Sequence, residues 1–160
     1  YPIYDLISDP IKKQEIKEAV FRYIDSKKIE ILPIVPVYQS WNGRDHYYNT
    51  NYSLTYGDKN DWKYEYVAFH VFSRRVQNTV PFYQYWNGKD HYYTVGYFPR
   101  GHKGYNFEGI LGYVFNRPTD GALPLYQAWN GRDHYYNTNY SPTYGEGNWK
   151  CEYIECYVPN

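Results

Sequence analysis

The octapeptide Trp41-Asn42-Gly43-Arg44-Asp45-His46-Tyr47-Tyr48 constrains this chain more than any other feature, because it is written three times. It returns as Trp86-Asn87-Gly88-Lys89-Asp90-His91-Tyr92-Tyr93 and as Trp129-Asn130-Gly131-Arg132-Asp133-His134-Tyr135-Tyr136, at spacings of 45 and 43 residues. A fixed period of this length is the mark of a repeat architecture, in which each copy completes the core of its neighbours. The likeness extends both ways. Pro-x-Tyr-Gln precedes each Trp (Pro36 to Gln39, Pro81 to Gln84, Pro124 to Gln127). An aromatic, strand-like tail follows each polar loop (Tyr64 to Phe72, Phe107 to Phe115, Cys151 to Pro159). Three copies, 31–75, 76–121 and 122–160, thus make one repeat domain over 31–160, behind a segment 1–30 of different character.

Within a copy the apolar period is two. Val37, Gln39 and Trp41 share one side of a strand, with Tyr38 and Ser40 on the other. Asn42-Gly43 then predicts a hairpin with a type I′ turn, and Arg44 to Thr50 the return strand. The tail is long enough for two short strands joined by a bend, which Gly109 and Gly112 would serve in copy two. Four strands per copy, about twelve in all, predict an all-β domain. The expected architecture is a three-repeat β-trefoil, with a three-sided β-prism as the alternative. Segment 1–30 reads differently. Asp9-Pro10 is a helix start, and Ile16, Val20, Tyr23 and Ile24 recur at helical spacing, predicting one N-terminal α-helix over about 10–27. A lone helix of that length is marginal in water, so it is expected to lean on the repeat body or on a protein partner.

Composition narrows the function. Net charge is zero, against a general nucleic-acid or membrane-surface binder, and no run approaches the roughly 18 apolar residues that cross a bilayer. The 24 Tyr, 5 Trp and 7 Phe suit surfaces apolar on one side and wet on the other. The chain opens on Tyr1-Pro2-Ile3 rather than Met, and the expectation is a processed, secreted protein. Cys151 and Cys156 would form a disulfide if they faced each other across a hairpin; otherwise they are free, partly buried thiols.

The motif Pro-Leu-Tyr-Gln-x-Trp-Asn-x-x-Asp-His-Tyr-Tyr, followed by Tyr-x-Phe-Glu-Gly-x-x-Gly-Tyr-Val-Phe, resembles an aromatic repeat of many secreted microbial proteins. Copy two matches best, through Asp90-His91-Tyr92-Tyr93-Thr94 and Gly112-Tyr113-Val114-Phe115. The resemblance covers nearly all of 31–160, with Gln where that repeat usually has Arg and a shorter turn. The family's function is largely unassigned; its usual place beside secreted enzymes implies attachment or glycan binding.

The residues themselves point the same way. Asp45 and His46, adjacent on a strand, face opposite sides and cannot orient each other as a catalytic pair. No nucleophile elbow occurs, and the glutamates do not read as a recurring acid pair, so no enzyme and no cofactor are expected. His46, His91 and His134 would form a His₃ metal site if they met on the threefold axis; the preferred expectation is that each bonds within its own copy and that no metal is held. Asp58, Asn60 and Asp61 resemble part of a calcium loop, but copy three keeps only Glu146 and Asn148. Glycan binding needs an aromatic face and a few fixed polar groups, and each copy has both. Trp41 and Trp129, or Tyr48 and Tyr136, are the expected stacking platform. Asp45, Asp133, Asn49 and Asn137, with Asp90 in copy two, would meet hydroxyls, and Arg44 and Arg132 would close the rim. Asn49 to Ser53 and Asn137 to Ser141 match closely whereas Thr94 to Phe98 differ, predicting two like sites and one altered or lost. The competing assignment makes these residues core and turn only. Asn51-Tyr52-Ser53 is also an N-glycosylation acceptor pattern, and a glycan there would obstruct such a pocket. The expectation is a secreted, non-enzymatic, lectin-like protein of repeated weak sites for glycans or glycoconjugates. The alternatives are a Tyr-rich adhesive or structural extracellular protein, and an interaction subunit docked through the helix.

Overall fold

In a computed structural model the chain divides into two units, Tyr1–Leu32 and Pro33–Asn160. Residues 9–29, 32–55, 61–145 and 148–160 are described, with side chains of the helix described to Arg22. The sequence readings on Asp58, Asn60 and Glu146 and on the helix side chains beyond Arg22 lie outside the described residues.

The first unit holds helix α1 (Pro10–Ile29). Asp9 caps it as expected, its Oδ1 accepting the Ile11 amide at 3.0 Å while its carbonyl accepts from Lys13 at 3.0 Å. Although α1 is 20 residues long, its charges leave no helix among the described residues apolar enough to cross a membrane.

The second unit is all strand. Copy one gives β1 (Ile34–Trp41), β2 (His46–Asn49) and β3 (Lys63–Phe72). Copy two gives β4 (Val80–Trp86), β5 (His91–Thr94) and β6 (Asn106–Val114), and copy three β7 (Ala122–Trp129), β8 (His134–Asn137) and β9 (Lys150–Pro159). In every copy the first strand lies between the other two, all antiparallel. Copies one and two join at Phe72↔Tyr113, and copies two and three through the bridge Phe115↔Tyr157.

Three strands per copy replace the four expected among the described residues, because the tail does not break. It stays paired along its length and absorbs its extra residues as two bulges, at Ala68 and Glu65 in β3 and at the matching places in β6 and β9. The turn differs too. Trp41 pairs with His46, so the loop is the four residues Asn42 to Asp45, with positive φ at Gly43 alone (95°). The Asn42 carboxamide oxygen accepts from the amides of Arg44 (2.9 Å) and Asp45 (2.7 Å), which builds this turn in place of a two-residue type I′ one. Copies two and three repeat it through Asn87 and Asn130. Cys151 and Cys156 are both free and lie on the one strand β9, not across a hairpin, so an extended backbone holds them apart.

The core is shared by all three copies. Val37, Phe82 and Leu125 occupy one equivalent position and face Phe69, Gly112 and Cys156 across the sheet. Volume is conserved in the pair: the largest residue, Phe82, meets the Gly, where a Cβ would stand 2.5 Å from Val71. At the centre Tyr48, Tyr93 and Tyr136 meet edge to face at 5.3 to 5.5 Å. Each phenol lies on the backbone of the preceding copy. The Tyr93 hydroxyl accepts from the Tyr48 amide (2.9 Å) and donates to its carbonyl (3.2 Å), and Tyr136 on Tyr93 and Tyr48 on Tyr136 do the same. The three short strands β2, β5 and β8 would otherwise bury unpaired backbone groups at the axis; the phenols supply the partners.

Candidate functional site

Each Asp-His dipeptide is split between copies. His46 bonds Asp133, His91 bonds Asp45 and His134 bonds Asp90, every Nδ1 lying 2.5 Å from one carboxylate oxygen while the His amide donates to the other at 3.0 Å. The within-copy bonding expected for the histidines is thereby corrected: neighbouring residues do face opposite ways, and closure of the ring gives each His the preceding copy's Asp. The convergence weighed as the alternative is inverted. It is Asp45, Asp90 and Asp133, all buried, whose oxygens come within 4.8 Å of one another, not the imidazoles.

Three carboxylates this close in a dry interior do not all ionise. Burial, then the charges of Asp45 and Asp90, push Asp133 up to about 10. Burial also pushes Asp45 up, against its bonds to His91. At Asp90 burial raises, but the bond and charge of His134 and the Tyr105 hydroxyl (2.6 Å) outweigh it and leave the carboxyl below its usual range. Burial pushes His46 down to about 4. Both shifts disfavour charge on the His46–Asp133 pair, and Asp133 shares its hydrogen-bonding with Asp45 as well as with His46.

The outward side of each His opens on a cleft between copies. Three rings crowd each imidazole: for His46 they are Trp41 (4.5 Å), Tyr135 (5.0 Å) and Trp149 (5.9 Å). His91 meets Trp86, Tyr47 and Trp62, and His134 meets Trp129, Tyr92 and Tyr105, at like distances. A glutamate on the bulge of the copy's last strand completes the cleft. Gln39 donates to Glu65 (2.9 Å), Gln84 to Glu108 (2.8 Å) and Gln127 to Glu152 (3.0 Å). Glu65 lies 3.7 Å from His46 Nε2, and Glu108 3.7 Å from His91 Nε2.

The clefts are unequal. Between copies three and one, about 400 Å³ is lined by Gln39, His46, Glu65, Tyr66, Tyr135, Tyr144 and Trp149, with the Tyr66 and Tyr135 hydroxyls 3.0 Å apart. Between copies two and three, about 390 Å³ has Gln127, His134, Glu152 and Tyr153 on one wall and Tyr92, Tyr105, His102 and Lys103 on the other. Between copies one and two, Gly109 stands where the others have Tyr66 and Tyr153, and a groove of about 220 Å³ that does not reach His91 runs along Gln84 and Glu108. Asn51, of the glycosylation pattern, lines that smaller groove.

Several residues expected to touch ligand do not face these clefts. Tyr48 and Tyr136 have no exposed surface, so they cannot stack on a sugar, and Asp45, Asp90 and Asp133 are enclosed by the imidazoles. Asn49 and Asn137 brace the structure, donating to the Tyr47 and Tyr135 hydroxyls and accepting the Asn51 and Asn139 amides, and Asn49 also lines the groove along Gln84 and Glu108. Trp41 and Trp129 lie against the imidazoles, and Trp129 also lines the cleft of copies two and three. Arg44 and Arg132 are exposed and line a different cavity at the turns. The glutamates were missed, although Glu65, Glu108 and Glu152 stand 24, 22 and 23 residues after the Trp of their copies.

A family model described as a domain of unknown function, DUF5648, matches residues 13–101 and again 33–159. The chain belongs to this family. Its two matches overlap, as a sequence written in near-equal copies allows. No curated protein and no solved structure matches the chain.

Proposed function

We propose that this DUF5648 chain is a secreted, non-enzymatic carbohydrate-binding protein whose sites are the clefts between its copies. The observation that carries the reading is the repeated set of an aromatic wall, a Gln–Glu pair and an outward imidazole at one place in each cleft. A pyranose offers an apolar face and hydroxyls that both donate and accept. Tyr135 and Trp149, or Tyr92 and Tyr105, stack on the face. Glu65 or Glu152 accepts from one hydroxyl, and the outward Nε2 of His46 meets the next. Two clefts keep the rim Tyr and one has Gly109, in line with two like sites and one altered. Weak sites on one rigid body gain avidity on a multivalent surface.

The fold that goes with this reading is threefold. Three-stranded sheets around one axis favour the β-prism over the β-trefoil, which takes a fourth strand from each copy. An adhesive role is the second reading. Tyr52, Tyr97 and Tyr140 occupy equivalent positions and are more than half exposed, at 54%, 58% and 62%.

The test is a glycan array probed with the wild type, with Glu65→Gln/Glu152→Gln and with Tyr66→Ala/Tyr153→Ala. Selective binding lost in both variants is expected. Silence of the folded wild type across the array would overturn the reading and favour the adhesive one.

A further inference from the structure

We propose a second site, for an oxyanion of the sulfate or phosphate monoester type, on the threefold axis at the turn end of the repeat domain. The turns place Arg44, Lys89 and Arg132 at one equivalent position, and these three cations rim a single cavity of about 390 Å³ with Asn87, Trp129 and Gly131. No residue lining it is acidic, and none of the three cations has an ion-pair partner within 4.0 Å among the described residues.

Three cations drawn together without a counter-ion repel one another, and a low-dielectric wall such as the Trp129 ring sharpens that repulsion. A tetrahedral oxyanion relieves it and has threefold-related oxygens to share among the three side chains, with an arginine able to bind two at once. Repetition makes the position structural: the Asn42, Asn87 and Asn130 carboxamides fix the amides of Arg44, Lys89 and Arg132 at 2.9 Å in each turn. The cavity is also separate from the clefts, since its lining shares only Trp129 with one of them and neither the Gln–Glu pairs nor the imidazoles. The same ring of cations disfavours entry of a metal ion from this end to the buried carboxylates. The competing role for these cations is to offset the three Asp carboxylates, each the next residue in the chain.

The experiment is an amide-resolved NMR titration of the whole chain with inorganic sulfate, inorganic phosphate and a monosaccharide sulfate, against chloride at equal ionic strength. Saturable shifts at Gly131 and Asn87 with the oxyanions and not with chloride are expected. Lys89→Gln should weaken binding about fivefold, the scale of one exposed charge, and Arg44→Gln/Lys89→Gln/Arg132→Gln should abolish it. Tighter binding of the monosaccharide sulfate than of sulfate would assign the anion to a glycan; equal binding would assign it to the free ion. Shifts in the wild type that follow ionic strength alone would overturn the proposal whatever the variants do. So would oxyanion binding that persists unchanged in the folded triple variant.

Discussion

The axis and the clefts both draw on the octapeptide, yet they differ in almost every physical respect. At the axis Asp, His and Tyr are buried, satisfied and shared between copies. In the clefts Gln, Glu and the aromatic rings of neighbouring copies border space. The imidazole joins the two, with Nδ1 turned in to a carboxylate and Nε2 turned out toward a glutamate. Triplicate polar residues are thus no sign of triplicate ligand sites by themselves. The set that repeats most faithfully, Asp-His with the second Tyr, closes the ring, while positions that vary, such as Tyr66, Gly109 and Tyr153, mark where the clefts diverge.

The comparison breaks most sharply at the axis. Asp90→Ala removes the partner of the His134 amide, the His134 ring and the Tyr105 hydroxyl together. It should cost about 3–5 kcal/mol in urea unfolding, and a loss below about 1 kcal/mol would return Asp90 to the surface role expected from sequence. Tyr93→Phe deletes one phenol that both accepts and donates in the core. Its expected cost is about 1–3 kcal/mol, read in the same unfolding curve.

The pH dependence separates the layers next. His46, lowered to about 4, is neutral in the fold below the pH at which the unfolded imidazole charges, near its ordinary value of 6.5. Asp133, raised to about 10, keeps a proton that the unfolded carboxyl releases near 3.8. Taken alone, the first loses stability as pH falls from 6.5 to 4, and the second loses it as pH rises from 3.8 to 10. Together the pair holds one proton in the fold from about pH 4 to 10, and the unfolded pair holds one only up to about 6.5. The contribution of this pair should therefore be level from pH 4 to 6.5 and fall above that, by at most roughly 1.4 kcal/mol per pH unit, and the raised Asp45 carboxyl adds to the loss as pH rises above 3.8. Asp133→Asn should flatten the upper limb, and a thermal-melt series across pH checks it.

In the clefts the effect on stability is the smallest expected. Glu65→Gln/Glu152→Gln should leave unfolding within about 0.5 kcal/mol, as for other half-exposed polar changes, while abolishing glycan retention. Glu108→Gln should leave retention unchanged, because its cleft lacks the rim Tyr. A loss of retention on altering Glu108 alone would make the three clefts equivalent and remove the role given to Tyr66 and Tyr153.

Much of this was legible along the chain. The three copies, the strand period, the Asp9 cap and the divergence of copy two are local patterns, and they survive in the structure. The turn was half legible: Asn42-Gly43 marks the place, but the Asn42 side chain that caps Arg44 and Asp45 sets the loop length. The bulges were not legible, since an extra residue in a strand changes pairing without changing composition, and with them went the aim of Glu65, Glu108 and Glu152.

What the sequence determined alone is the repeat: three copies of a strand-and-hairpin unit, written with short-range patterns that each copy carries by itself. What only the tertiary structure decided is which copy each polar group serves. Asp45 finds His91 across 46 residues, and Asp133 finds His46 across 87. No local preference encodes such a partner. It is chosen when the ring closes, because a buried carboxylate, imidazole or phenol must be satisfied and the neighbouring copy brings a matching group within reach.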